Sequence, residues 1–113
     1  MELSILEHVI RTVTIQPSGR VDAFTSPKLR SKLKELRGEG VSRFIIDLSE
    51  TDFLDSAGMA VLVSVLKSAR KAGGDVKLVW PSQEAAKRII SLTKFDRVFE
   101  MADSAEAALK SFK

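Results

Sequence analysis

Apolar and polar residues alternate along the chain in patterns typical of short strands and helices that follow one another. From Val9 to Gln16, β-branched residues alternate with polar ones, which predicts a strand, and Leu3 to Leu6 is expected to pair beside it. The turn-forming run Pro17-Ser18-Gly19 is expected to end that strand. Phe44 to Leu48 is nearly continuously apolar, which is typical of a central parallel strand covered on both faces.

Two helices are predicted around this central strand. Ser26 as N-cap and Pro27 at the first helical position begin the first helix, and the glycines from Gly38 to Gly40 end it. Between Ser56 and Ala72 apolar residues recur every three or four positions, which predicts the second and longest helix. Gly73-Gly74 supplies a left-handed end to this helix.

The remainder of the chain continues the alternation of strands and helices. Val76 to Trp80 predicts a strand, Pro81-Ser82 the start of a helix, and Arg97 to Phe99 a last short strand. Asp103 to Glu106 has the spacing of a capping box, which predicts a terminal helix. The order of these elements predicts one α/β domain over residues 1–113, with a mixed, mainly parallel sheet of four to five strands and about four helices.

Composition narrows the classes of function. There is no apolar run of about 18 residues that could span a membrane, and the N-terminus lacks the pattern of a secretory signal, so a cytoplasmic protein is expected. The absence of cysteine and the single histidine, His8, argue against disulfides and against thiolate or histidine-rich metal sites. With 18 basic and 15 acidic residues, the charge is too balanced to indicate nucleic acid as a partner.

The loop from Thr51 to Ser56 is the leading candidate site, because it joins a central strand to the longest predicted helix. Ser56 is expected to cap that helix with its hydroxyl and to lie at the surface. The positive end of the helix would tolerate a phosphate on this oxygen, so phosphorylation need not unfold the domain. The same Asp-Ser pair is also a common capping arrangement with no further role, and the residues alone leave both interpretations open.

The surroundings of this loop indicate how a phosphate would act on a partner. Asp55 lies beside Ser56, and Asp22 and Asp52 would join it if the loops converge, so a dianion would add to an already acidic rim. A packed partner would then be repelled. Met59, together with Phe53 or Leu54, could supply apolar contact area around the site.

The segment Phe53-Leu54-Asp55-Ser56-Ala57-Gly58-Met59 resembles the F-x-D-S-[SA]-G-[ILM] signature of STAS domains in bacterial anti-sigma factor antagonists. Gly19 to Asp22, followed by a leucine, resembles the G-x-[LV]-D turn of the family. Ile45 to Leu48 resembles its central strand, and Gly73-Gly74 falls in register before a strand. The resemblance covers nearly the whole chain, and Ala57 replaces a frequent second serine, which removes one alternative acceptor.

The resemblance implies a phosphorylation-controlled cycle of partner switching. The unmodified domain would bind an anti-sigma factor that is also an ATP-dependent serine kinase, which would free a sigma factor. Phosphorylation of Ser56 would then release the complex, and a metal-dependent serine phosphatase would reset it. ATP and magnesium would belong to the kinase, and no cofactor is expected on this chain. The implied docking residues are Asp22, Thr25, Ser26, Phe53, Leu54, Asp55, Ser56, Ala57, Gly58 and Met59.

A second role in the same family stays open at this stage. The domain could be a STAS subunit or sensor in a transport or stress-signalling assembly, whose Ser56 loop docks a partner without cyclic phosphorylation.

An enzyme is not expected from these residues. No G-x-S-x-G elbow surrounds Ser56, and the only histidine lies in a predicted strand region near the N-terminus. Asp47, near the end of a central strand, raises the alternative of a phospho-aspartate receiver, but no acidic pair follows the first strand to hold magnesium. Asp47 is instead expected to face the loop cluster or solvent.

The first predicted helix is strongly basic, and we interpret this as a solvated face rather than a patch for nucleic acid or lipid headgroups. The residues concerned are Lys28, Arg30, Lys32, Lys34 and Arg37.

Overall fold

A mixed sheet forms the centre of the computed structural model, which describes residues 1–7 and 11–112 and shows six strands there. The strands are β1 (Glu2–Glu7), β2 (Thr12–Val21), β3 (Arg43–Asp47), β4 (Thr51–Leu54), β5 (Asp75–Val79) and β6 (Glu100–Ala102). Their order across the sheet is β1-β2-β3-β5-β6, and β4 pairs with the end of β2. Only β1 and β2 are antiparallel among these pairs, so the predicted pairing of an N-terminal strand beside the first long strand is confirmed.

Helices connect the parallel strands, and five are present in the described ranges. They are α1 (Ser26–Gly38), α2 (Ser56–Lys71), α3 (Glu84–Leu92), α4 (Phe95–Val98) and α5 (Ala105–Ser111). The prediction of one mainly parallel α/β domain is confirmed, with one strand and one helix more than expected. None of the helices in the described part is both long and apolar enough to cross a membrane.

The core lies on both faces of the sheet because successive side chains of a strand point in opposite directions. Phe44 and Ile46 of β3 pack in the large cluster beneath α1, α2 and α3, together with residues such as Leu62. Ile45, between them, faces the opposite side and packs with Ala108 of α5. The long helix α2 is therefore fixed against the sheet along its length, and its N-terminus is held beside the end of β2.

The end of β2 differs from the sequence-based expectation in a way that shapes the site. Pro17-Ser18-Gly19 does not end the strand, because Gly19 adopts φ +85° where the register shifts and the strand continues to Val21. The segment Thr51–Leu54, expected to be a polar loop, is strand β4 and pairs in parallel with residues 19–21. A strand this short shows no clear period in the sequence, and its pairing with β2 stabilises it.

The C-terminal part also differs in detail from the predictions. Residues 97–99 were expected to be a strand, but the first two end α4, Phe99 follows as its C-cap, and the last strand is β6. The helix expected to open at Pro81-Ser82 begins at Glu84. Ser104, rather than a box begun by Asp103, caps α5, since its hydroxyl accepts the N–H of Ala107 at 3.0 Å. His8 and Val9, to which expectations were attached, lie outside the described residues.

Candidate functional site

The N-terminus of α2 is capped by Asp55, one residue before the predicted cap. Asp55 has extended backbone angles, and its Oδ1 accepts the N–H of Gly58 at 2.9 Å. The prediction that Ser56 caps the helix is therefore wrong, because a carboxylate already takes the N–H group that a serine cap would use. Ser56 is the first residue of the helix and is exposed, and its side chain forms no hydrogen bond within the described part of the chain. Its hydroxyl is thus open to chemical modification.

Asp55 also joins the beginning of α2 to the loop between β2 and α1. Its second carboxylate oxygen accepts the N–H of Ala23 at 3.1 Å, and its own N–H donates to the carbonyl oxygen of Val21 at 3.3 Å. The loops that carry Asp22 and Ser56 therefore meet, whereas Asp52 is exposed on β4 and shares no hydrogen bond with them in the described residues. Because one carboxylate serves both loops, their relative position is fixed.

The loop between β2 and α1 is organised around the carboxylate of Asp22. Its Oδ1 accepts the N–H groups of Phe24 and Thr25 at 3.0 and 3.1 Å, and its Oδ2 accepts Nε of Arg20 at 3.0 Å. The Arg20 guanidinium, helped by the hydrogen bonds from Thr25 and Phe24, lowers the pKa of Asp22 below its usual range, although partial desolvation opposes them. Asp22 is therefore ionised at neutral pH and keeps the loop in one conformation.

Phe24, at the tip of this loop, was not predicted as a site residue. Its side chain is 94% exposed, the largest exposure of any large hydrophobic residue in the described ranges. Nearby, Phe53 is half-buried beneath the guanidinium of Arg20, whose central carbon lies 4.1 Å from the centre of the ring. The only sequence signal for Phe24 is its position, as an aromatic residue in a turn just before a helix. Its exposure cannot be read from the sequence, because it depends on how Asp22 orders the loop.

Four of the predicted docking residues are buried, so they support the surface more than they add area to it. Ser26 and Leu54 are 3% and 2% exposed, Met59 is 8% exposed, and Gly58 is buried. Ser26 was also predicted to cap α1, and this is wrong. Thr25 occupies the cap position, and its hydroxyl is committed to the loop, where it accepts the N–H of Asp22 at 2.9 Å.

Gly58 allows α2 to approach the end of β2 closely. A Cβ atom built on Gly58 would lie 2.4 Å from the carbonyl oxygen of Val21, closer than real Cβ atoms come to backbone oxygens. The glycine of the D-S-A-G segment is therefore required by packing, and it brings the Ser56 end of the helix against the strand that carries the Asp22 loop.

An open groove extends from Ser56 along α2 towards the connection between α3 and α4. Its apolar side chains and the exposed Leu92 nearby in the sequence offer contact area next to the serine. The groove is lined by Ser56, Met59, Ala60, Val63, Ser64, Lys67, Thr93 and Phe95.

Asp47 is a buried carboxylate held by hydrogen bonds. It is 8% exposed, and its carboxylate accepts hydrogen bonds from the side-chain amide of Gln16 at 3.1 Å and from the N–H of Ser49 at 3.0 Å. Its partners are thus a residue of β2 and the turn after β3, and the side chain is turned away from solvent. The described residues contain no group of three or more His, Cys, Asp or Glu side chains arranged to hold a metal ion.

Comparisons with known proteins agree on one family. The family profile described as STAS domain matches residues 4–108. A Thermotoga maritima protein, named as a candidate anti-sigma factor antagonist, is 32% identical over 79 residues, which cover 70% of this chain and 69% of the relative. A crystal structure from Thermotoga maritima, titled in the same way, superposes with a TM-score of 0.89 at 23% identity, over 97% of this chain and 93% of the other. The Bacillus cell fate determinant SpoIIAA in its phosphorylated form has the same fold, with a TM-score of 0.76 at 17% identity, over 99% and 100% of the two chains.

Proposed function

The chain belongs to the STAS domain family, and we propose that it acts there as an anti-sigma factor antagonist whose binding is controlled by phosphorylation of Ser56. The observation that carries the proposal is the exposed Ser56 side chain, free of hydrogen bonds in the described part and placed at the start of α2, where Asp55 joins the helix to the Asp22 loop. The names of the relatives support the role of antagonist.

A phosphate on Ser56 would change the charge of the surface with little effect on the fold. The residue is in the first turn of α2, where backbone N–H groups and the helix dipole favour an anion. Asp55 and Asp22 are fixed close by through their backbone hydrogen bonds, so the added charge of about −1.5 to −2 would face any partner that covers this rim. Repulsion across the interface, rather than unfolding, would release the partner.

The proposed docking surface consists of the exposed tip of the β2–α1 loop, the end of β4 and the first turn of α2. Phe24 and Phe53 would provide aromatic contact area on this surface. The buried members of the predicted set would hold these groups in position. The proposed phosphorylation site is Ser56, and the proposed docking residues are Asp22, Phe24, Thr25, Ser26, Phe53, Leu54, Asp55, Ser56, Ala57, Gly58 and Met59.

The proposed partner is an anti-sigma factor with serine kinase activity, and this kinase would itself bind the ATP and magnesium. A serine phosphatase would return the domain to its binding state. The reaction transfers the terminal phosphoryl group of ATP to the Ser56 oxygen, releases ADP, and gives up the hydroxyl proton to a base of the kinase.

Replacing Ser56 with alanine is expected to keep partner binding and to abolish its release by ATP. Alanine removes the acceptor oxygen but leaves the Asp55 cap and the loop contacts in place. Affinity purification of the Ser56→Ala protein from the source cell, followed by addition of ATP and magnesium, measures both effects. The matched control is Ser31→Ala, an exposed serine of α1 that lies outside the Ser56 groove, and this variant should release its partner as the unchanged protein does.

Two outcomes would contradict the proposal. One is stoichiometric phosphorylation of the Ser56→Ala protein on the same loop. The other is recovery of transport subunits, without any kinase, as the stable partners, which would favour the role of a STAS subunit or sensor instead.

Replacing Phe24 with alanine is expected to weaken partner binding by about 2 kcal/mol, or roughly 30-fold, because exposed aromatic anchors dominate such interfaces. The melting temperature should stay nearly unchanged, since a side chain that is 94% exposed contributes little to the core. Titration calorimetry with the purified partner measures the loss. Leu6→Ala is the control, because Leu6 is also exposed but lies on the edge strand β1. An equal loss with both variants would count against Phe24 as an anchor.

A further inference from the structure

A second surface is a cleft between α1 and α2, which adjoins the Ser56 groove at Ser64. It encloses about 200 Å³, and its floor includes Leu33 of α1 with Val61 and Val65 of α2. Small-molecule pockets usually span about 300–1,000 Å³, so this cleft is sized for individual side chains rather than for a whole ligand. Ser64 lines its α2 side and is exposed.

The basic residues of α1 fall into two groups around this cleft. Arg30 and Lys34, one helical turn apart, line it, are exposed, and form no ion pair or hydrogen bond in the described ranges. Lys28 and Lys32, in contrast, are not among the lining residues and have partners, since Lys28 donates to the carbonyl oxygen of Met1 and Lys32 pairs with a glutamate one turn on. The free positive charge of the helix is therefore concentrated on the rim of the cleft.

Arg37 contributes to the shape of the cleft more than to its free charge. Its Nε donates to the hydroxyl of Ser68 at 2.8 Å, and another guanidinium nitrogen donates to the carbonyl oxygen of Val41 at 2.8 Å. The bond to Ser68 ties the C-terminal end of α1 to α2, and the bond to Val41 fixes the guanidinium against the segment that follows α1.

We propose that this cleft docks an acidic amphipathic segment of a protein partner. The segment places an apolar side chain on the floor formed by Leu33, Val61 and Val65, and it sets carboxylates against Arg30 and Lys34. Charge complementarity selects this occupant: the rim carries unpaired cations while the floor is apolar, which suits an acidic peptide with one inserted side chain. Nucleic acid would require a longer basic track, and a membrane would require a larger exposed apolar area.

The proposal goes beyond the switch at Ser56 and does not depend on it. Val61 and Val65 follow Ser56 by five and nine residues, roughly 8 and 14 Å along the helix axis, and they face α1. A partner segment in the cleft would therefore contact α2 beyond its first turn, after the turn that carries Ser56.

The test uses a fluorescently labelled helical peptide of about 18 residues, made of glutamate, alanine and leucine with the leucines on one face. Fluorescence anisotropy at low ionic strength should show saturable binding to the unchanged protein. The double variant Arg30→Glu, Lys34→Glu should lose at least about tenfold in affinity. The matched control Lys28→Glu, Lys32→Glu makes the same change in charge on the same helix and should stay within about twofold.

Several outcomes would overturn the proposal. Absence of saturable binding would show that the cleft does not dock such a segment. Equal weakening by both double variants would show that the binding is only a general attraction between opposite charges. Tighter binding of duplex DNA or of anionic vesicles, with the same dependence on Arg30 and Lys34, would assign the cleft to a different occupant. Circular dichroism of each variant checks that it is folded.

Nuclear magnetic resonance of the unchanged protein gives a result that needs no variant. Peptide-induced shifts should centre on the methyl groups of Leu33, Val61 and Val65, and shifts centred on Phe24 and Ser56 would overturn the assignment to the cleft. At about 0.15 M salt, where the screening length is about 8 Å, the Ser56→Asp protein should bind the peptide within about twofold of the unchanged protein. Failure of the cleft and failure of the switch therefore give different results.

Discussion

Replacing Gly58 with alanine is expected to destabilise the domain by about 3 kcal/mol. The new Cβ would lie 2.4 Å from the carbonyl oxygen of Val21 and 2.8 Å from its Cγ1. Val21 is fully buried and its backbone is held by β4, so the strand cannot move aside. The first turn of α2 would have to shift instead, which would disturb the hydrogen bond between Asp55 and the Gly58 N–H.

Thermal unfolding followed by circular dichroism measures this loss, which corresponds to roughly 10–15 °C in melting temperature for a domain of this size. Gly38→Ala is the matched control. Gly38 also lies in a helix, but a Cβ built there meets nothing within 4 Å, so the substitution should be neutral or slightly stabilising. If the two variants had equal melting temperatures, the close approach of α2 to β2 would not be what makes Gly58 necessary for the stability of the domain.

Partner binding by the Gly58→Ala protein should weaken as well. The glycine positions the helix start that carries Ser56, so a shift of this turn moves the serine relative to the Asp22 loop. Gly58 thus connects the packing of the fold with the geometry of the proposed switch. The close approach of α2 to β2 explains physically why a glycine stands two residues after the serine.

The elements that the sequence predicted well are those with strong local signals. The helical period of α2 extends over 16 residues, which is enough to exclude a strand. The apolar run of β3 is short, but its length and the isoleucines within it favour a strand over a buried helix. Gly73, with φ +84°, follows α2 as expected of a residue that readily adopts a left-handed conformation. The general order of strands and helices, and hence the α/β class, follows from such segments.

The features that the sequence did not predict depend on contacts between distant segments. Strand β4 exists because three of its residues pair with the end of β2, more than 30 positions earlier in the chain. Asp55 and Ser56 are both good capping residues, and the contact of Asp55 with the Ala23 N–H is visible only once the loops are brought together. The exposure of Phe24 has the same origin, since Asp22 orders the loop that presents it.

Phosphorylation of Ser56 is expected to weaken partner binding by about 100-fold, which corresponds to about 2.7 kcal/mol, while leaving the melting temperature nearly unchanged. The phosphate brings a charge of about −1.5 to −2 to a rim where Asp22 is ionised at neutral pH, and the neighbouring Arg20 lowers the pKa of Asp22 further. The same phosphate lies at the N-terminus of α2, where it is accommodated favourably. Titration calorimetry with the anti-sigma factor recovered by the Ser56→Ala protein compares the two forms.

Two substitutions of nearly equal shape separate charge from size at this position. Ser56→Asp adds one negative charge and should weaken binding by about tenfold, whereas the neutral Ser56→Asn should remain within a few-fold of the unchanged protein. The difference between them should shrink as salt is raised, because the screening length falls from about 10 Å at 0.1 M to about 3 Å at 1 M. If asparagine weakened binding as much as aspartate, the partner would be displaced by bulk. If the phosphorylated domain melted many degrees lower, release of the partner would result from destabilisation of the fold and not from repulsion at the exposed start of α2.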